Sequence, residues 1–88
     1  MNDQESLIQF PCDFPIKIVG ANSEQFIQEI KNIALRHFPD LTDDAMKQKV
    51  SAQNNYLALT LTVHALNKEM LDDFYREVSS NPQVKMVL

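Results

Sequence analysis

Residues 56–64, Tyr-Leu-Ala-Leu-Thr-Leu-Thr-Val-His, constrain this chain more than any other stretch. Leu57, Leu59, Leu61 and Val63 alternate with Ala58, Thr60, Thr62 and His64, and a period of two belongs to a strand with one face buried and the other bare. A strand of this kind needs a layer over its apolar face. The flanking patterns supply one. Phe26, Ile27, Ile30, Ile33, Ala34 and His37 recur at three- and four-residue spacing, which predicts a helix from Asn22 or Ser23 as N-cap to about His37, ended by Pro39 and Asp40. Gln25, three residues after Asn22, would complete a capping box. Leu71, Phe74, Tyr75 and Val78 predict a second helix, capped by Asn67 and stopped before Pro82.

Shorter strands fill the remaining segments. Residues 16–20 place Ile16 and Ile18 on one face and Lys17 and Val19 on the other, with Pro15 at the strand's first position, where it forfeits no ladder bond. The lone glycine, Gly20, sits where that strand must turn into a helix. Residues 46–53 alternate weakly, and the outward Lys47 and Lys49 suit an edge strand. Asn54 and Asn55 then predict a two-residue hairpin turn, because asparagine tolerates positive φ. Residues 84–88 make the last strand, with Val84, Met86 and Leu88 on one face and Lys85 and Val87 on the other. The order strand, helix, strand, strand, helix, strand, with right-handed crossovers, predicts an α+β ferredoxin-like βαββαβ sandwich. It is a four-stranded antiparallel sheet with two helices on one face and the first and third strands central. Eighty-eight residues allow one such domain, with residues 1–6 as a flexible tail.

Charge narrows the partners. The net charge is −4, with three basic and eight acidic side chains in residues 1–44 against five and four in residues 45–88. Neither half is a basic field able to neutralise phosphates, so nucleic acid and anionic membranes are not the expected partners. The acidic, polar opening is unlike a signal peptide and no apolar run approaches a membrane span, so the expected compartment is the cytoplasm. The single cysteine, Cys12, allows neither an internal disulfide nor a thiolate cage. Its neighbour Asp13 disfavours a reactive thiolate, which leaves a small, half-buried apolar residue.

The candidate sites are sparse. Gly20, Ala21, Asn22 and Ser23 form a turn at a helix start, whose free amides could receive a carboxylate such as an amino acid's. A glycine there is also what a tight strand-to-helix turn requires sterically. His37 belongs at the favourable carbonyl end of the first helix, and His64 ends a strand on its bare side. A zinc site or catalytic dyad would need these histidines to converge with carboxylates, and an enzyme using His64 with a nearby carboxylate is the third and weakest reading. Asp43 with Asp44, and Asp72 with Asp73, are adjacent acids that read as solvated surface. The bare sheet face collects Lys17, Val19, Thr60, Thr62, His64, Lys85 and Val87. Without aromatics on its central strands it offers no platform for stacking RNA bases. Its valines would sit together in water unless a partner covered them.

Phe10 and Pro11, Phe14, Lys17 and Gly20 at the start, the hairpin from Ser51 to Tyr56, Tyr75, and the closing Val84-Lys85-Met86-Val87-Leu88 resemble the YbeD-like family of small uncharacterised bacterial proteins. The resemblance runs from about Leu7 to Leu88, and the closing pentapeptide is its most specific part. It implies a ferredoxin-like fold similar to ACT regulatory domains, which bind amino acids and related ligands. This chain has Ala52 and Asn54 where the family usually has a second serine and a glycine. It also lacks the Asp-x-x-Gly loop of ACT domains, since Lys17 stands where the aspartate would. The expected function is a non-enzymatic regulatory or protein-binding module, with a protein partner that could be a second copy. The alternative is an ACT-like small-molecule sensor working through the Gly20 turn. No motif calls for a cofactor or a metal.

Overall fold

The computed structural model describes residues 9–51 and 53–88. The tail expected over residues 1–6, with Leu7 and Ile8 after it, lies outside the described residues, as does Ala52. The elements run β1 (Cys12–Ala21), α1 (Glu24–His37), a 3-10 turn (Asp43–Ala45), β2 (Met46–Val50), β3 (Tyr56–Ala65), α2 (Lys68–Ser79) and β4 (Val84–Val87). All neighbouring strands are antiparallel, in the order β2-β3-β1-β4, so the βαββαβ sandwich expected from the patterning is the fold observed.

One apolar core joins the layers. Ile16 and Ile18 of β1 and Leu57, Leu59, Leu61 and Val63 of β3 are buried on a single sheet face. Phe26, Ile30, Ile33 and Ala34 of α1, with Leu71, Phe74 and Val78 of α2, pack against them. Each of these large side chains stabilises the fold by about 1.5–3 kcal/mol relative to exposure. The helix starts are closed by side chains. Ser23 Oγ accepts from the Phe26 N–H, and Asn67 Oδ1 accepts from the Met70 N–H. Asn22 is therefore not the cap. Its amide donates to the Asn54 carbonyl at 2.9 Å and ties the β2–β3 loop to the β1–α1 turn. His37 has the structural role expected of it, joining the helices through Nε2 and Glu77 Oε1 at 2.7 Å. That hydrogen bond, and a second from Arg36, hold the Glu77 carboxyl below its ordinary pKa.

Three local expectations are corrected. First, β1 begins at Cys12 rather than Ile16. Lys17 exchanges both backbone bonds with Leu88, so its peptide groups point toward β4. Pro15, two residues earlier, points the same way but past the end of β4, and its missing N–H forfeits nothing.

Second, the hairpin is not a two-residue turn. The Ser51 N–H donates to the Tyr56 carbonyl at 2.9 Å, closing a loop longer than two residues, and the Asn54 N–H donates to the Ser51 carbonyl at 2.9 Å. Ser51 Oγ accepts from the N–H groups of Asn55 and Tyr56, each at 3.2 Å, work that a tighter turn would leave to the ladder. Asn54 has φ 60°, whereas Asn55 does not share the left-handed conformation. Asn54→Gly should therefore be neutral or slightly stabilising, while Asn54→Ala should cost about 1 kcal/mol. Urea unfolding of the two variants checks this, and equal midpoints would remove the left-handed residue from the account.

Third, Val87 does not lie on the bare face. It stands opposite Ile18, Met86 opposite Val19, and Val84 opposite Gly20, so the register slips by one residue between Val19 and Gly20. Lys85 is the extra residue of a β-bulge. A one-residue slip reverses the faces beyond it, which lets Val84 and Val87 both pack on the core despite their odd spacing. Met86 goes to the bare side, and Leu88, paired with Lys17, goes with it.

Candidate functional site

The bare sheet face is ordered into cross-strand rows. One row runs Lys49, Ala58, Val19, Met86 and the next Lys47, Thr60, Lys17, Leu88, each side chain beside its opposite number on the neighbouring strand. Beyond them lie Thr62 with Pro15 and His64 with Asp13; on the other side lies Tyr56 with Ala21. Met86 is 52% exposed, Leu88 61% and Tyr56 45%, so each end of the patch carries large apolar surface in water. Lys17, Val19, Lys49, Tyr56 and Ala58 line a shallow hollow of about 210 Å³ between them. Three lysines occupy two adjacent rows, and none has an acidic partner among the described residues. Asp13 is the face's single acid among the described residues, and it is engaged by His64. The helices carry the acids Glu24, Glu29, Glu69, Asp72, Asp73 and Glu77 against the bases Lys31, Arg36, Lys68 and Arg76, so that side has a modest acidic excess.

A second concavity opens where β2 stops covering β3. The pairing of those strands begins with Met46 opposite Leu61, so β3 from Thr62 onward has no β2 neighbour. The α1–β2 connection passes alongside and encloses a cleft of about 480 Å³. Phe38, Leu41, Leu66 and Met70 form its apolar wall, and Asp13, Thr62 and His64 its polar one. Asp13 Oδ1 lies 3.0 Å from His64 Nδ1. A carboxylate only accepts, so Nδ1 carries the proton and, in the neutral ring, Nε2 presents its lone pair.

The Gly20 turn is packed rather than open. A Cβ on Gly20 would stand 2.5 Å from the Phe26 ring and 2.6 Å from the Gln83 carbonyl. Ser23 Oγ, already the helix cap, also donates to Gln83 Oε1 at 3.3 Å. The Gln83 and Asn81 side-chain amides in turn donate to Glu29 Oε1. Hydrogen bonds from Asn81 first, then Gln25 and Gln83, lower the Glu29 pKa. Cys12 is half-buried, as its sequence context suggested. No helix among the described residues is long and apolar enough to cross a membrane.

Compared with models of known families, residues 5–88 match the family described as "Protein of unknown function (DUF493)". The chain belongs to this family. A UPF0250 protein of Janthinobacterium sp. (strain Marseille) is 43% identical over 88 residues, covering all of this chain and 97% of its own. Among solved structures, protein HP0495 from H. pylori matches with a TM-score of 0.69 at 13% identity, over 92% of this chain and 85% of its own. The ACT domain from the GTP pyrophosphokinase of Chlorobium tepidum matches with a TM-score of 0.62 at 19% identity, over 88% and 97%. The YbeD-like resemblance and the ACT-like ferredoxin fold expected from the sequence are both borne out. At these identities the structural likeness is one of fold, and folds host unrelated functions.

For this DUF493 chain, the bare face keeps Lys17, Val19, Thr60, Thr62 and His64 together, as expected from alternation. It loses Val87 to the core and gains Met86, Leu88, Lys47, Lys49 and Tyr56. Lys85 is exposed at the bulge. The Asp13 and His64 pairing was not visible in the sequence, because a strand starting at Ile16 leaves Asp13 without a register. The position of Pro15 relative to the end of β4 is what would have revealed it.

Proposed function

We propose that this chain is a non-enzymatic protein-binding module, regulatory in role, that docks through its bare sheet face onto a partner presenting an acidic and partly apolar surface. The observation that carries this reading is the pair of rows in which Lys17, Lys47 and Lys49 stand without acidic partners among the described residues, beside exposed Met86, Leu88 and Tyr56. Such a patch, on a protein of net charge −4, favours an opposite charge and adds desolvation of the apolar ends. A second copy is a poorer occupant. A two-fold axis through this face would set its lysines against one another. The sensor reading draws less support, since the Gly20 turn is filled by Phe26 and its Ser23 hydroxyl is engaged on both sides.

The test is the triple reversal Lys17→Glu, Lys47→Glu, Lys49→Glu. These side chains are exposed, so the melting temperature should hardly change. A partner recovered from the source cytosol, identified and purified, should bind the variant at least about tenfold more weakly, and the wild type more weakly as salt rises. Unchanged affinity of the variant would overturn the proposal. So would retention that nuclease treatment abolishes, which would make the ligand a nucleic acid.

A further inference from the structure

We propose that the cleft beside the C-terminal half of β3 is a binding site for a small molecule that joins an apolar body to a primary ammonium group. Its volume of about 480 Å³ falls within the roughly 300–1,000 Å³ usual for small-molecule sites. Its composition divides it in two. On one side, Phe38, Leu41, Leu66 and Met70 offer an apolar wall. Leu66 is 57% exposed there, an apolar side chain with one flank in water. The Leu66 N–H lies 3.4 Å from Met70 Sδ, which holds the two wall residues together.

On the other side, the carboxylates favour a donor with positive charge, and the Thr42 and Thr62 hydroxyls accept as well as donate. Asp13 and Asp40 both line the cleft, and among the described residues no lysine or arginine does. A carboxylate or phosphate would meet repulsion with no cation to offset it. An ammonium has three N–H donors and no acceptor, which suits the Asp13 and Asp40 carboxylates that line the cleft. Asp13 fixes the ring by accepting a hydrogen bond from its Nδ1–H, which holds the carboxylate in place at the cleft. The site therefore selects against the carboxylate ligands that the Gly20 turn would have favoured, and it stands independently of the lysine rows.

The probes are 2-phenylethylammonium and its carboxylate counterpart 3-phenylpropionate, titrated into the isotopically labelled full chain and followed by backbone amide NMR. The amine should produce saturable shifts at Asp13, His64 and Leu66, and the acid should bind at least about tenfold more weakly, the factor a single lost charge–charge contact commonly brings. Asp13→Asn should weaken amine binding by a similar factor. Leu66→Ser, at an exposed position, should weaken both probes while leaving the fold intact. Equal binding of acid and amine would overturn the proposal, as would affinity indifferent to Asp13→Asn. Shifts that map to another face, or none that saturate by roughly 10 mM, would do the same.

Discussion

Replacing Phe74 by alanine should cost about 3–5 kcal/mol, the range for truncating a fully buried aromatic ring. Phe74 is 0% exposed and sits in α2 at the centre of the core. Its ring meets Phe38 edge-on at 5.4 Å between centroids and His37 at 5.8 Å. Such aromatic pairs add to the energy of simple burial. A domain of this size holds roughly 5–15 kcal/mol in total, so one substitution would remove a large share of it. The consequences reach past the core. Phe38 lines the cleft and His37 carries the hydrogen bond to Glu77, so losing the ring would loosen both the cleft wall and the link between the helices. A urea unfolding midpoint close to the wild-type value would mean that the helices settle onto the sheet without Phe74, and that the core is organised differently.

What was legible in the sequence, and what was not, follows from the range of the interactions involved. The period of two in residues 56–64 is local, and it correctly assigned every side chain of β3 to the core or to the bare face. The stripes through Phe26, Ile30 and Ile33 and through Leu71, Phe74 and Val78 are also local, and the helices formed where they lay. The features that escaped are set by neighbours distant in sequence. Whether Pro15 ends a strand depends on where β4 runs out. Whether Val87 or Met86 faces the helices depends on a bulge opposite Val19 and Gly20. The hairpin depends on the Ser51 hydroxyl, a competing local acceptor that lets a longer loop replace the two-residue turn. The candidate site inherited these errors in proportion. The residues of β1 and β3 were placed correctly, Met86 and Val87 of β4 and the following Leu88 were reversed while Val84 kept its face, and the cleft went unseen because it needs Asp13 and His64 in register and a gap beside β3.

Gly20→Ala should cost about 3 kcal/mol, the upper part of the roughly 1–3 kcal/mol usual for overpacking, although the change adds a single methyl group. Glycine is often kept for a positive φ, but Gly20 has none, so its backbone angles would admit any residue. Space is what is missing. The added Cβ would lie 2.5 Å from Phe26 Cε1 and Cζ and 2.6 Å from the Gln83 carbonyl oxygen. Phe26 is 0% exposed and cannot swing outward, and Gln83 belongs to the backbone that leads into β4. The Gln83 carbonyl also accepts from the Ala21 N–H, so moving it would strain the pairing of β1 with β4. This result separates the two readings of the turn. If its glycine serves packing, Gly20→Ala lowers the unfolding midpoint steeply whether or not any metabolite is present. If it serves a ligand, the variant keeps its midpoint and loses only the stabilisation that the ligand supplies by mass action. Thermal unfolding of both forms, alone and with a panel of amino acids, decides between them. A variant as stable as the wild type would reopen the turn as a binding site.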